Sequence, residues 1–195
     1  CLYSYKQKKL EDIVYAGYCL YGPSTLLVET VNQKEVKLYS LDKDNVFVYQ
    51  RNLNFENKHK KLYAINESNS FDFDSDIKFL IRNYKTLGYN QRWVGSMVAD
   101  CHQVLISGGV FIYPGTKKNP NGKIRLLYEG FPFSYIFKIA GGHGIDMNYN
   151  KLLNRITAID IHSTDIHKPC PIVLLSDHEY NNLNSIMSHS RTIDP

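Results

Sequence analysis

Three charged side chains alternate with apolar ones past the middle of the chain, and their types could bind ions. They are Lys123, Arg125 and Glu129, within the segment GKIRLLYE at residues 122–129. Successive side chains of a strand point to opposite faces, so an extended segment places all three on one face. Two interpretations stay open. One is the solvated charged face of an edge strand; the other is a site where lysine and arginine hold an anion beside a cation held by the glutamate.

A helix and a buried strand are predicted directly before this segment. Apolar residues recur at helical spacing at Val94, Met97, Val98, Cys101 and Leu105. The helix begins near Gly95 and Ser96, and it ends at Gly108 and Gly109, because glycine adopts the left-handed cap conformation without steric cost. The run VFIY at residues 110–113 then predicts a short buried strand.

Strand and helix signals fill most of the remaining chain. Runs rich in valine, leucine, isoleucine and tyrosine predict strands at residues 25–31, 36–41, 46–50, 62–65, 156–161 and 172–175, while residues 16–21 are predicted to end a short helix. Further helices are predicted after Asp74 or Ser75, near Pro132, and at a capping box of Ser176 and Glu179. This order favours a layered α/β domain with a mixed β-sheet flanked by helices.

The composition is ordinary for a soluble globular domain. The 195 residues are 43% hydrophobic and 22% charged, and the formal net charge is +4. The densest basic run is KHKK at residues 58–61, which is too short for a nucleic-acid surface. No apolar run reaches membrane-spanning length. We therefore expect neither a nucleic-acid partner nor a membrane partner.

Cysteine and histidine patterns give weak signals. The cysteines Cys1, Cys19, Cys101 and Cys170 show no paired spacing, which favours a reducing, cytoplasmic location. The glycine-rich GGHG at residues 141–144 follows a predicted helix, so a helix end is favoured over a phosphate-binding loop. His162, His167 and Cys170 do not match a usual zinc spacing.

Two long segments resemble a known family. GSMVADCHQVLISGGVFIYP at residues 95–114 and NGKIRLLYEGFPFSYIFKIAGG at residues 121–142 closely resemble the C-terminal half of class I fructose-1,6-bisphosphatase. Shorter stretches at residues 16–22, 65–67, 164–167 and 171–174 extend the likeness over most of residues 12–190. Residues 1–11 are polar and lysine-rich, so we expect them to form a frayed entry segment. The resemblance implies a C-terminal sugar-phosphate-binding domain at residues 12–195. It also implies that the N-terminal metal-binding domain is absent from this chain.

The resemblance implies roles for individual residues. Lys123 and Tyr113 would contact the sugar phosphate, and Asn66 would help to hold the 6-phosphate. Arg125 would face the 1-phosphate and Glu129 would be a ligand of the catalytic magnesium ions, so these two are the implied catalytic residues. The implied substrate-binding set is Asn66, Glu67, Ser68, Asn69, Arg92, Trp93, Val94, Gly95, Ser96, Met97, Tyr113, Lys123, Ile124 and Arg125.

The resemblance also implies an oligomer, and this chain differs from the family at two positions. Arg92 resembles an arginine that a neighbouring subunit contributes to the same phosphate, which implies a homodimer or homotetramer. Residues 95–97 match a helix start where the family's backbone approaches the sugar. Asn69 and Trp93 stand where the family has tyrosines, so two hydroxyl donors to the phosphate are missing.

The implied activity is hydrolysis of the 1-phosphate of fructose 1,6-bisphosphate to fructose 6-phosphate, a step of gluconeogenesis. It would need magnesium and the protein's own N-terminal domain, so this chain alone is expected to be inactive. One alternative is a non-catalytic paralogue that binds sugar phosphate or a partner. The other is a sedoheptulose 1,7-bisphosphatase, although the segment at residues 106–114 looks more like the fructose enzyme.

Overall fold

An antiparallel sheet contains the first strands of the chain. The computed structural model describes residues 2–5, 13–146 and 167–190. The strands of this sheet pair in chain order and are β1 (Leu2–Tyr5), β2 (Ile13–Leu20), β3 (Leu26–Val31), β4 (Val36–Leu41) and β5 (Phe47–Leu53). Asn32 and Gln33 join β3 to β4 with φ angles of 51° and 58°, as a type I′ hairpin turn requires.

A mixed sheet lies at the centre of the second part. Its strands, in spatial order, are β10 (Gly142–Asp146), β12 (Ile172–Ser176), β8 (Val110–Tyr113), β6 (Leu62–Ala64) and β7 (Asn90–Gln91). β6 runs parallel to both β7 and β8, whereas β12 is antiparallel to β8 and β10. A separate short pair joins β9 (Ile124–Arg125) to β11 (Pro169–Cys170).

The described residues form four α-helices, and two of them begin at side chains that cap them. They are α1 (Ser75–Thr86), α2 (Met97–Ser107), α3 (Phe131–Ile139) and α4 (Asp177–Ser190), with a 3-10 helix at Glu67–Asp72 and a π-helical turn at Leu126–Gly130. Asp74 Oδ1 accepts the backbone N–H of Ile77 at 2.9 Å, and Ser176 Oγ accepts that of Glu179 at 3.3 Å. Within the described ranges, no helix is both long and apolar enough to cross a membrane.

Both faces of the mixed sheet are covered. Phe111 of β8 belongs to a core cluster shared with α2, α3 and the antiparallel sheet, where Phe133 stacks on Tyr18 at 4.9 Å. Val110 and Ile112 belong to a second cluster with α1 and α4. Alternate residues of one strand point to opposite faces, so the two clusters lie on opposite sides of the sheet. The predicted layered α/β domain with a mixed sheet flanked by helices is confirmed.

The prediction that residues 16–21 end a short helix was wrong. Residues 16–20 belong to β2, in which Ala16 and Tyr18 are buried while Tyr15 and Cys19 are half-buried. Gly17 lies against β3, where a Cβ would be 3.0 Å from the carbonyl oxygen of Val28. The small residues therefore serve close strand pairing rather than a helix.

The leading segment also differs from the prediction. Residues 1–11 were expected to be a frayed lead-in, but Leu2–Tyr5 forms β1 and pairs with β2. The predicted strand at residues 156–161 and His162 fall outside the described residues.

The long strand predicted across residues 122–129 was wrong in extent. Only Ile124–Arg125 is strand, and the chain then turns through Leu126–Gly130 into α3. Glu129 Oε2 accepts the backbone N–H of Arg125 at 2.6 Å, a contact that a fully extended segment could not make. Lys123, Arg125 and Glu129 therefore do not share one face of a strand.

Candidate active site

A cavity of about 330 Å³ lies beyond the end of β8. Residues from three segments line it: part of 66–73, residues 112–114 with 116, and part of 118–123. This volume is at the small end of the usual range for ligand pockets, about 300–1,000 Å³, and suits a sugar phosphate better than a large cofactor.

Four predicted substrate-binding residues meet at this cavity. They are Asn66, Asn69, Tyr113 and Lys123. Asn66 and Tyr113 are half-buried, whereas Asn69 and Lys123 are exposed. A lysine ammonium, two side-chain amides and a phenol together supply the hydrogen-bond donors that a phosphate dianion accepts.

Tyr113 is held in its donor form. Burial raises the pKa of Tyr113, and the negative charge of Glu129 raises it further. The phenol is therefore protonated at neutral pH, so its hydroxyl can donate a hydrogen bond to an anion. The effect of Glu129 on Tyr113 also indicates that the two predicted ends of the site are neighbours in space.

The 3-10 helix directs Asn66 toward the cavity. The side-chain oxygen of Asn66 caps this helix by accepting the backbone N–H of Ser68 at 3.2 Å, and it also accepts the Ser68 hydroxyl. The Asn66 amide NH₂ group is then the part that can donate to a ligand. The Glu67 carboxylate instead accepts hydrogen bonds from the Tyr63 hydroxyl and the Lys85 ammonium group. Neither Glu67 nor Ser68, both predicted to bind substrate, lines the cavity.

The loop between β8 and β9 forms the opposite wall. Thr116 and Asn119 exchange backbone hydrogen bonds of 3.0 and 3.1 Å, and Gly122 N–H donates to Asn119 O at 2.9 Å. The Asp72 side chain accepts the backbone N–H of Lys118 at 3.2 Å and so ties this loop to the 3-10 helix. Asp72, Thr116, Lys118 and Asn119 were not predicted as site residues, because no recognised motif marks them in the sequence.

The loop before α2 is organised by a buried acid. Asp100 is 2% exposed, and its carboxylate accepts the backbone N–H groups of Val94 at 2.9 Å and Gly95 at 3.2 Å. Burial raises the pKa of Asp100, while these hydrogen bonds oppose the rise. Asp100 was not predicted either. Its sequence signal was a single acidic residue within the hydrophobic stretch that forms α2.

The predicted residues of this loop do not line the cavity. Trp93 packs instead against Phe111 and Tyr113, with ring centroids 6.3 and 6.4 Å away. Arg92 is exposed, and its backbone N–H donates to Tyr63 O at 2.9 Å. The others outside the cavity are Val94, Gly95, Ser96 and Met97. The structure therefore separates the two departures, because Asn69 lines the cavity and Trp93 does not.

The predicted catalytic residues, Arg125 and Glu129, lie outside the cavity lining, as does Ile124. Arg125 and Glu129 are half-buried and are joined by the backbone contact described above. A carboxylate has about four acceptor positions, so Glu129 can still be one ligand of a divalent cation. Among the described residues, no group of three or more histidine, cysteine, aspartate or glutamate side chains could hold a metal ion. These residues thus fit part of a metal site and do not complete one.

The glycine-rich and histidine patterns have structural roles where they are described. Gly141 follows α3 with φ of 87°, which confirms the predicted helix end. His143 lies in β10, and its Nε2 is 2.9 Å from Asp177 Oδ1. His167 Nδ1 contacts Tyr128 Oη at 3.0 Å.

Comparison with known proteins identifies relatives over nearly the whole chain. A family described as "Fructose-1-6-bisphosphatase, C-terminal domain" matches residues 56–188. The fructose-1,6-bisphosphatase class 1 of Trichormus variabilis is 34% identical over 178 residues, covering 90% of this chain and 49% of the relative. Fructose-1,6-bisphosphatase 1 of Rattus norvegicus is 36% identical over 174 residues, covering 86% of this chain and 46% of the relative.

Solved structures agree with these sequence relatives. The crystal structure of Leishmania major fructose-1,6-bisphosphatase in the T-state superposes with a TM-score of 0.78 at 31% identity, covering 93% of this chain and 55% of that one. The crystal structure of the same protein in its holo form gives a TM-score of 0.78 at 32% identity, covering 92% of this chain and 54% of that one. The chain spans about half the length of the curated relatives it matches.

Proposed function

The chain belongs to the fructose-1,6-bisphosphatase family, and from this premise we propose that it is the C-terminal, sugar-phosphate-binding half of such an enzyme. In this proposal, residues 12–195 form a domain that works with the protein's own N-terminal domain. The full-length enzyme hydrolyses the 1-phosphate of fructose 1,6-bisphosphate and releases fructose 6-phosphate, a step of gluconeogenesis in the cytoplasm. The names of the relatives and their coverage of this chain support the assignment.

One observation carries the substrate-binding part of the proposal. The cavity joins Asn66 and Asn69 of the 3-10 region to Tyr113 and Lys123, which lie more than forty residues further along the chain. We assign this cavity to the 6-phosphate, which does not react. Binding energy from such a remote group positions the reacting end of the substrate.

The reacting end would lie toward Arg125 and Glu129. The Arg125 guanidinium would face the 1-phosphate, where negative charge is stabilised by a fixed cation. Glu129 would be one ligand of Mg²⁺, with the other ligands supplied by the N-terminal domain. When bound, Mg²⁺ would act as a Lewis acid toward the phosphate and lower the pKa of a water ligand. The described residues of this chain would orient the substrate for that chemistry.

We also propose that the enzyme is a homodimer or homotetramer with Arg92 acting across the interface. Arg92 is exposed and does not line its own cavity, so its side chain is available to a neighbouring subunit. Mixing an Arg92→Ala subunit with a Glu129→Gln subunit tests this. In a mixed dimer one site carries both defects and the other carries neither, so activity should return. Proven mixed dimers without activity would contradict a shared site.

Phosphate release tests the reaction itself. The full-length enzyme with excess Mg²⁺ should release one phosphate from fructose 1,6-bisphosphate and leave fructose 6-phosphate, identified by NMR. Higher kcat/KM with sedoheptulose 1,7-bisphosphate would favour the related sugar bisphosphatase. Binding of fructose 6-phosphate without turnover of either bisphosphate would favour a non-catalytic paralogue. The observation that supports this alternative is Asn69, which lines the cavity where the family has tyrosine.

A further inference from the structure

A second lysine lines the cavity beside Lys123. Lys118 belongs to the lining, and both lysine side chains are exposed to solvent rather than buried in the protein. Asp72 is the carboxylate among the described lining residues, and one of its oxygens already accepts the Lys118 backbone N–H. The cavity therefore carries a net positive charge and suits an anion.

The position of Lys118 is fixed by its backbone. Its N–H donates to Asp72 Oδ2 at 3.2 Å, and the N–H of Lys117 donates to the Asp72 backbone oxygen at 3.3 Å. The Thr116 and Asn119 hydrogen bonds close the same loop. A loop ordered in this way holds the Lys118 Cα at the cavity wall before any ligand arrives, so little backbone entropy is lost on binding. Lys117, one residue earlier, does not line the cavity.

The chain itself can supply a second cation to the cavity, in addition to the arginine that we propose a neighbouring subunit contributes. Asn69 lines the cavity with a neutral amide, while Trp93 and Arg92 lie outside the lining. Within the described part of this chain, Lys118 and Lys123 are thus the cationic side chains of the cavity. A phosphate dianion is bound more strongly by two fixed cations than by one, since hydrogen bonds to charged groups are the stronger class.

We propose that Lys118 is a second phosphate-binding residue of this cavity and that it strengthens the preference for the dianion of a sugar phosphate monoester. The inference rests on the proposed function, because it takes the cavity to be the phosphate-binding end. It assigns to the chain a specificity-determining residue beyond the set expected from resemblance.

Isothermal titration of fructose 6-phosphate into the full-length enzyme tests the proposal. Lys118→Met should weaken binding about tenfold or more, because it removes a charged hydrogen-bond donor. The matched control Lys117→Met should stay within about twofold, since an exposed charge outside the cavity is screened by solvent and salt. Lys118→Arg should keep most of the affinity, and Lys118→Gln is a polar second variant. Circular dichroism melts compare the folding of all variants.

The pH dependence separates phosphate binding from a structural role. The second pKa of a phosphate monoester is about 6, so the ligand changes from monoanion to dianion between about pH 5 and pH 7. The wild-type enzyme should gain more affinity over this range than the Lys118→Met enzyme. A purely structural effect would lower the affinity by the same factor at both pH values.

The outcomes separate this inference from the proposed function. If Lys118→Met behaves like Lys117→Met while Lys123→Met abolishes binding, the inference is overturned and the phosphate-binding cavity stands. If Lys117→Met weakens binding as much as Lys118→Met, the effect is general electrostatic attraction and the inference is again overturned. If neither Lys118→Met nor Lys123→Met changes the affinity, the cavity does not bind the phosphate and both assignments are overturned.

Discussion

At the cavity, Asn66, Asn69, Tyr113 and Lys123 meet from separate segments, and all of them belong to this chain. At the Glu129 end the chain supplies a half-buried carboxylate with one oxygen bound to a backbone N–H, and the described residues complete no metal site. The loop between β8 and β9 and the 3-10 helix enclose the cavity, whereas the turn at Leu126–Gly130 holds Glu129. This difference agrees with the proposed division of binding and catalysis between this chain and an N-terminal domain.

The largest effect should come from Glu129→Gln in the full-length enzyme. Replacing this proposed metal ligand by a neutral amide removes electrostatic stabilisation of the transition state, so we expect kcat to fall about 10²–10³-fold. The affinity for fructose 6-phosphate should stay nearly constant, because Glu129 does not line the cavity. Steady-state kinetics and calorimetry measure the two quantities. Glu56→Gln, at an exposed loop position, is the matched control, and unchanged kcat in Glu129→Gln would remove Glu129 from the metal site.

Lys123→Ala should act on the other end. Loss of a charged donor to the phosphate costs about 1.5–3 kcal/mol, which corresponds to a KM about 10–150-fold higher. Most of kcat should remain at saturating substrate, because the remote phosphate does not change during the reaction. Lys117→Ala serves as the control outside the cavity. An effect of Lys123→Ala confined to kcat would reverse the assignment of the two ends.

Asp100→Asn tests whether the loop before α2 is independent of the cavity. An asparagine offers one acceptor oxygen where the carboxylate accepts two backbone N–H groups, so one amide loses its partner. We expect the free energy of unfolding to fall by about 1–3 kcal/mol. Fructose 6-phosphate affinity in the folded chain should change less than about threefold, because the loop is not part of the lining. Urea unfolding measures the free energy of unfolding, and calorimetry measures the affinity. Asp44→Asn, at an exposed position, is the control. A large loss of affinity in Asp100→Asn would show that the loop and the cavity are coupled.

The smallest expected effects separate the two departures from the family. Asn69→Tyr places a phenol at the cavity, and we expect fructose 6-phosphate to bind about three- to tenfold more tightly. Trp93→Tyr should change the affinity less than about twofold, because Trp93 does not line the cavity and the tyrosine keeps an aromatic ring beside Phe111 and Tyr113. Calorimetry on the two single variants gives the comparison. A larger gain from Trp93→Tyr would show that the indole occupies the phosphate position.

Sequence reasoning predicted local features that depend on short patterns. The Asp74 cap, the helix end at Gly141 and the buried strand β8 follow from residue types that favour one backbone conformation. Resemblance added Asn66, Tyr113 and Lys123 to one site, and the structure brings all three to one cavity. Their sequence separation alone could not have placed them together.

The errors arose where a tertiary contact decides the backbone. Alternation at residues 122–129 predicts a strand, but the Glu129 carboxylate bends back to the Arg125 N–H and the strand ends. Residues 16–21 were predicted to end a short helix, whereas Gly17 lies in β2 against Val28 of β3. Lys118 and Asp72 were missed because their contact joins segments that the sequence keeps apart.

The most direct test of the account is titration of fructose 6-phosphate into the 195-residue chain, with phosphate release from fructose 1,6-bisphosphate measured on the same sample in excess Mg²⁺. The account predicts saturable one-to-one binding that Lys123→Ala abolishes or weakens more than about tenfold, together with no detectable turnover. A folded chain that does not bind fructose 6-phosphate would contradict the binding half of the account. Turnover on the order of 1 s⁻¹, which is ordinary for an enzyme, would contradict the division of the metal site between this chain and the N-terminal domain.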